Sequence, residues 1–355
     1  MKKIEDIIKS KAPLSSEKEY RAYDAINYSS LKTLSDDPKK LDIEFLGNDS
    51  TLLGSIVDCM LTGGNYNEEY ITAKVTKPSG MQGELIDVMF SKKDNYLLGD
   101  TIYVNQKNTD IQVFEAQFAE AYQIVGLKTP KLEGAKKNFL EKGGTQYFDY
   151  LHTVGDKTIV SGKMKHTANE IVKTLKENPF TKDYFNKIDN EDYQIFYQVP
   201  MVFNLPESCQ KKEGKGLLDM IVVNHKDKCI IPVDLKTTSG KAADFKSAFI
   251  KWSYYIQASY YSYGLQTLTD YEVLPFKFVV ASTTDIYRPL TYKVTKKTLN
   301  VGRFGGSRPS SSYHTKGWEQ LCQEYIWLKE TGNKQYSKEA YDADGCLTLD
   351  NFDKW

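Results

Sequence analysis

The chain has 355 residues, with 47 basic and 47 acidic side chains and a formal net charge of zero. That length buries one large or two modest cores. The charge balance excludes a global basic field, so any polyanion would have to be held by a local basic channel. Five cysteines, Cys59, Cys209, Cys229, Cys322 and Cys346, are scattered, odd in number and free of any CxxC pair, which argues against a zinc ribbon or a disulfide framework. There is no apolar run long enough for a bilayer and no signal-peptide core, so no membrane association and a cytoplasmic location are expected. The 25 tyrosines suit either core packing or base stacking.

In chain order, residues 1–26 are charged and read as a loosely attached N-terminal arm. Asn27-Tyr28-Ser29-Ser30-Leu31-Lys32 opens a short helix with serine caps that closes near Asp37-Pro38. Leu52 to Leu61 is a clearer helix, with Leu53, Ile56, Val57, Met60 and Leu61 on one stripe. Gly54 lowers its helix propensity and suggests close packing or backbone approach. Asp58 lies at the margin of the apolar stripe, an odd place for an acid. From Pro78 to Tyr150 the pattern is helical, amphipathic and lysine-rich, with breakers at Gly99, Gly126, Gly134 and Gly143-Gly144. The lysines between Lys128 and Lys142 read as a solvated face in preference to a DNA track. Ser161 caps a helix that runs to about Glu177 and is ended by Asn178-Pro179, with His166 solvated or packed.

Tyr193 to Phe203 reads as the first core strand, and the densest chemistry follows it. Leu217 to Val223 and Cys229 to Thr237 are apolar runs joined by the polar turn Asn224-His225-Lys226-Asp227-Lys228, a hairpin pattern. The first run holds Asp219. The second ends in Asp234-Leu235-Lys236, where alternation puts Asp234 and Lys236 on one face. Pro232, unusual in a central strand, suggests a bulge just before Asp234. A helix is expected from about Ala243 to Tyr263, with Tyr254, Gln257 and Tyr261 on one face. Its other aromatics, Phe249, Trp252, Tyr255 and Tyr260, read as core packing rather than DNA stacking. Strands over 276–282 and 287–294 precede a Gly/Ser/Arg loop, Gly302 to Ser312, whose Arg303 and Arg308 either hold phosphates or are simply solvated. A helix over 316–330 and a polar tail after Thr331 complete the chain.

Paired acids inside apolar runs are costly unless a cation neutralises them. Two carboxylates with a free backbone carbonyl make an oxygen-rich site suited to Mg²⁺ or Mn²⁺. Asp219, then Asp234-Leu235-Lys236-Thr237-Thr238 and the helix with Tyr254, Gln257 and Tyr261, resembles the PD-(D/E)XK nuclease superfamily. Within it the motif is similar to the RecE-like (exonuclease VIII type) and RecB-type branch. Gly54-Ser55-Ile56-Val57-Asp58 resembles that branch's Gly-Ser-x-x-His helix, with Asp58 in the metal-site His position. Gln198 is the neutral counterpart of a strand Glu that helps to bind a second metal in many relatives. The resemblance spans roughly residues 25–65 and 155–295 and lacks the clustered C-terminal cysteines of iron–sulfur relatives.

The resemblance implies an α/β restriction-endonuclease-like core with a mixed central sheet flanked by helices and a helical N-terminal elaboration. The expected layout is an arm over 1–26, a helical region over 27–180, a nuclease core over 181–331 and a tail over 332–355. It further implies Mg²⁺ held by Asp219, Asp234, the Leu235 carbonyl and Asp58. Lys236 would orient the attacking water or stabilise developing charge, and Gln257 and Tyr261 would position the strand or the nucleophile. The expected activity is exonucleolytic resection of linear double-stranded DNA from its ends, with a single-strand annealing recombinase as partner and a ring-like homo-oligomer. Two rivals remain: a catalytically inactive DNA-binding or assembly module, marked by Asp58 and Gln198, and an endonuclease of repair or restriction type.

Overall fold

The protein is described here by a computed structural model, which describes residues 2–10, 17–43, 47–91, 111–155, 157–186, 190, 192–307 and 314–346. It divides into two compact units, one formed by Met1–Gly64 with Thr167–Trp355 and the other by Asn65–His166. The expected borders at 26/27 and 180/181 therefore do not coincide with the unit borders. The helical region over 27–180 is split between the units.

The chain begins with helix α1 (Glu17–Ala22), strand β1 (Ile26–Asn27), α2 (Tyr28–Asp36) and α3 (Asp49–Thr62). The second unit then contributes α4 (Tyr66–Glu69), β2 (Tyr70–Thr72), α5 (Met81–Ser91), α6 (Ile111–Val125), α7 (Leu132–Glu141), α8 (Gly144–Val154) and β3 (Thr158–Val160). In it β2 and β3 pair in parallel, and Leu85, Ile86, Phe118, Phe139 and Phe148 share an apolar core. Gly134 lies inside α7 rather than ending a helix, whereas Gly126, with φ 68°, ends α6 as expected. Helix α9 (Gly162–Glu177) begins at Ser161, whose Oγ accepts from the Met164 amide at 3.1 Å.

The first unit resumes with α10 (Lys182–Phe185), β4 (Tyr193–Asn204), β5 (Glu213–Asn224), β6 (Cys229–Thr238), α11 (Phe245–Lys251), α12 (Tyr254–Leu268), β7 (Glu272–Val273), β8 (Lys277–Ser282) and β9 (Leu290–Lys293). It closes with α13 (Lys296–Phe304), β10 (Gly306–Ser307), β11 (His314–Thr315), α14 (Trp318–Thr331) and α15 (Lys338–Asp342). A seven-stranded mixed sheet organises this unit. It runs β1-β5-β6-β8-β9, with β4 also pairing β5 and β7 also pairing β6. Helix α12 is buried on nearly all sides, with Tyr255, Ile256, Ala258, Tyr260 and Leu265 in the same core as Leu218, Ile221 and Phe278. The fold is the expected mixed α/β arrangement. Among the described residues no helix is long and apolar enough to cross a membrane.

Several local expectations are corrected. Within the stretch expected to be a loose arm, the described residues Ile7 and Ile8 are instead buried in the sheet core. The buried Lys215 ammonium donates to the carbonyls of Tyr20, Arg21 and Tyr23 at 2.9, 3.0 and 2.7 Å, gathering carbonyls at the end of α1. The cap of α2 is Asn27, whose Oδ1 accepts from the Ser30 amide at 2.9 Å, and not a serine. Pro232 makes no bulge, since the β5–β6 register passes through Ile221↔Pro232 unbroken. The other edge of β6 pairs β7 at 229–230 and β8 from 233 onward. Pro232, which lacks an N–H, falls in the interval between those two ladders. The helix expected over 243–263 is broken into α11 and α12 at Trp252-Ser253, where Ser253 has φ 55°. Arg303 belongs to α13 and not to a loop, and Arg308 lies outside the described residues.

Candidate active site

The sheet forks where the motif lies. One edge of β5 is covered along its length by β4. Its other edge pairs β1 at Gly214–Lys215 and β6 only from Met220 onward. Residues 216–219 of β5 and the end of β6 beyond Val233 thus diverge, because β6 turns to pair β8 through Thr238. Asp219 stands on one prong and Asp234 on the other, in the positions that the ladder would pair next.

Asp219 holds the fork open, its Oδ2 accepting from the Leu235 amide at 2.7 Å. A strand residue sends its N–H and C=O to the same side, so the Leu235 carbonyl faces the same gap. Asp234 is only 2% exposed. Its Oδ1 accepts from Gln257 Nε2 at 2.7 Å, and its Oδ2 lies 2.6 Å from Lys236 Nζ in an ion pair that is not an aligned hydrogen bond. The Lys236 ammonium also lies 5.0 Å from the Tyr254 ring centre and 6.0 Å from that of Phe278. That cage holds it over the acids.

Two further elements complete the surroundings. Helix α3 approaches β6 closely at Gly54, where an added Cβ would stand 3.1 Å from Thr237 Oγ1. The close packing expected of that glycine is present. One turn further along α3, Asp58 Oδ2 accepts from Gln198 Nε2 at 2.6 Å. Gln198 lies on β4 opposite Asp219, at the one position where the β4–β5 pairing lapses without a change of register, and its φ is 48°. A non-glycine residue in that region is strained. The irregularity expected at Pro232 on β6 thus occurs on β4, on the far side of β5, where it turns an amide toward Asp58. The sequence offered no signal for this contact, because a left-handed glutamine leaves the alternation of β4 intact.

Burial sets the electrostatics. Burial first, then Asp234 and Asp58, pushes the Asp219 carboxyl well above the ordinary carboxylate range, against the pull of Lys236 and the Leu235 amide. Burial also raises Asp234, which Lys236 and Gln257 draw back down. Burial alone would lower Lys236, but Asp234 and then Asp219 outweigh it and hold the ammonium firmly charged. Tyr261 is nearly buried, its ring lies where a Cβ on Gly216 would stand 2.9 Å away, and burial raises its hydroxyl well above the usual range. Gln257 and Tyr261 face inward, so they brace the acids and the fork rather than present themselves to a strand of DNA.

The donor chemistry fits a hard cation at the fork. Gln257 Oε1 is buried without a hydrogen bond, Asp234 Oδ2 meets the Lys236 ammonium at 2.6 Å, and Asp219 is repelled by two neighbouring acids. Among the described residues, however, no three His, Cys, Asp or Glu side chains gather closely enough to cage a metal. Asp58 is within electrostatic reach of Asp219 but does not close such a cage. A cation here would rest on two carboxylates, the Leu235 carbonyl and water, a shell that Mg²⁺ accepts. Arg303, a candidate for holding phosphate, is instead turned inward. Its Nε pairs with Glu319, and its guanidinium lies 4.7 Å from the Tyr263 ring centre and 5.5 Å from that of Trp318.

No protein-family model matches the chain, and no curated protein matches it. Among solved structures, a “putative exonuclease” from Eubacterium rectale is similar at 16% identity over 81% of this chain and 80% of the other, with a TM-score of 0.43. The protein SSO0001 is similar at 13% identity over 78% of this chain and 84% of the other, with a TM-score of 0.26. Likeness at that distance carries no argument about activity.

Proposed function

We propose that this protein is a Mg²⁺-dependent deoxyribonuclease that works from the ends of linear double-stranded DNA. One observation carries the reading: Asp219, Asp234 and Lys236 meet at a strand fork. There the two acids repel each other, a cost that a bound cation would relieve. When bound, the metal supplies Lewis-acid stabilisation of the scissile phosphate and a water of lowered pKa. The chain's residues do the rest. Asp219 and Asp234 hold the ion with the Leu235 carbonyl, and the Leu235 amide and Gln257 fix the two carboxylates. Lys236, which has three N–H donors and spends one direction on Asp234, directs another at charge developing on the phosphate. Asp58, held by Gln198, acts through water at the margin of the shell. Mn²⁺ substitutes for Mg²⁺. Action on DNA ends as a homo-oligomer, with a single-strand annealing recombinase in the cytoplasm, belongs to the same proposal and rests on the motif resemblance alone.

The test is incubation with linear and with closed circular duplex DNA. Linear DNA should be degraded with Mg²⁺ or Mn²⁺, bound but hardly cut with Ca²⁺, and untouched in EDTA. Undiminished cleavage in EDTA sinks the metal mechanism. Cutting of closed circles replaces the exonuclease with an endonuclease.

A further inference from the structure

Where α11 gives way to α12 the chain turns through Trp252 and Ser253, and Trp252 remains 44% exposed while Tyr255 and Tyr260 are buried. The expectation that Trp252 packs in the core is therefore not met. Two ammonium groups lie over its ring, Lys32 Nζ from α2 at 5.2 Å and Lys251 Nζ at 4.8 Å. Its carbonyl accepts from the Tyr28 hydroxyl at 3.0 Å, and the Tyr28 ring meets Tyr261 edge-on. Two residues further on, Tyr254 carries Lys236 over its face. Trp252 is thus linked to the fork by two short routes, through Tyr28 to Tyr261 and along the chain through Tyr254 to Lys236.

An exposed indole between two lysines has the chemistry that grips an unpaired nucleotide, the ring stacking on a base and the ammonium groups meeting phosphates. Among the described residues Lys32 is otherwise paired with the exposed Asp36 at 3.1 Å, a contact weak enough for a phosphate to displace. A base inside a duplex has both faces covered, so the indole can stack only on an unpaired or terminal base. We infer that Trp252, Lys32 and Lys251 form a subsite for an unpaired nucleotide at the DNA end, beside the acids. This rests on the nuclease reading for its substrate.

Binding of a labelled single-stranded oligonucleotide, measured by anisotropy in EDTA, separates this inference from the activity. Trp252→Ala should lose about tenfold in affinity, while Trp252→Phe keeps most of it. Lys32→Gln with Lys251→Gln should weaken binding and flatten its salt dependence. Circular dichroism of each variant checks the fold. On linear duplex with Mg²⁺, Trp252→Ala should raise KM more than it lowers kcat. If the wild type binds through Trp252 yet cuts nothing, the nuclease reading falls and the subsite stands. If the wild type cuts DNA while Trp252→Ala binds and cuts like it, the subsite falls and the nuclease stands. A wild-type protein that binds no oligonucleotide overturns the subsite.

Discussion

Lys236→Met removes the Lys236 ammonium from the fork and keeps most of the apolar stem. The lost ion pair spans 2.6 Å to a carboxylate that is 2% exposed, while the Lys236 side chain is 20% exposed. At an effective dielectric constant of about 20, two unit charges at that distance attract by roughly 6 kcal/mol. Removing one partner of a buried pair costs about 3–5 kcal/mol. Asp234 keeps the Gln257 amide at 2.7 Å and can take up a proton, so about 3 kcal/mol is expected near neutral pH in the absence of metal. The sign follows from the shifts. Burial raises Asp234 and Lys236 opposes it, so without Lys236 the folded-state pKa of Asp234 climbs further. The stability tied to that proton is full below the ordinary carboxylate range and is lost as pH rises through the raised folded pKa. Urea unfolding in EDTA across pH 4.5 to 8, values chosen to span roughly the ordinary carboxylate range and neutrality, should therefore show a deficit that widens as pH rises. A variant as stable as the wild type at pH 8, or a deficit independent of pH, would refute the argument that Lys236 balances a buried, ionised Asp234.

Three other substitutions probe the site. Asp234→Asn should weaken Mg²⁺ binding by calorimetry about tenfold or more as well as abolish cleavage, and wild-type affinity would remove Asp234 from the metal's ligands. Asp58→Ala should lower the cleavage rate while leaving thermal stability within about 1 kcal/mol of wild type, because it also relieves repulsion of Asp219; an unimpaired rate places Asp58 outside the site. Gly216→Ala puts a Cβ 2.9 Å from the Tyr261 ring and should cost about 1–3 kcal/mol in urea unfolding while lowering cleavage. A neutral outcome would mean that the fork does not depend on Tyr261.

The sequence by itself determined what alternation and spacing encode. The hairpin of β5 and β6, with Asp219 inside one run and Asp234 and Lys236 at the end of the other, follows from period-two patterning around a polar turn. The amphipathic stripe of α3 and the close approach at Gly54 were legible for the same reason: apolar side chains must face a core, and glycine admits a backbone. What the pattern leaves open is the partner of each edge and face. That β5 and β6 diverge at the acids goes with β1 pairing the β5 edge that β6 also uses and with β8 pairing the far edge of β6, segments far apart in the chain. The left-handed Gln198, the helix break that leaves Trp252 exposed, and the anchoring of residues 7–8 and 17–22 likewise arise from contacts that only the assembled sheet supplies. Local sequence sets the periodicity of each strand and helix, whereas desolvation and edge pairing, which act between distant segments, decide which residues become the site.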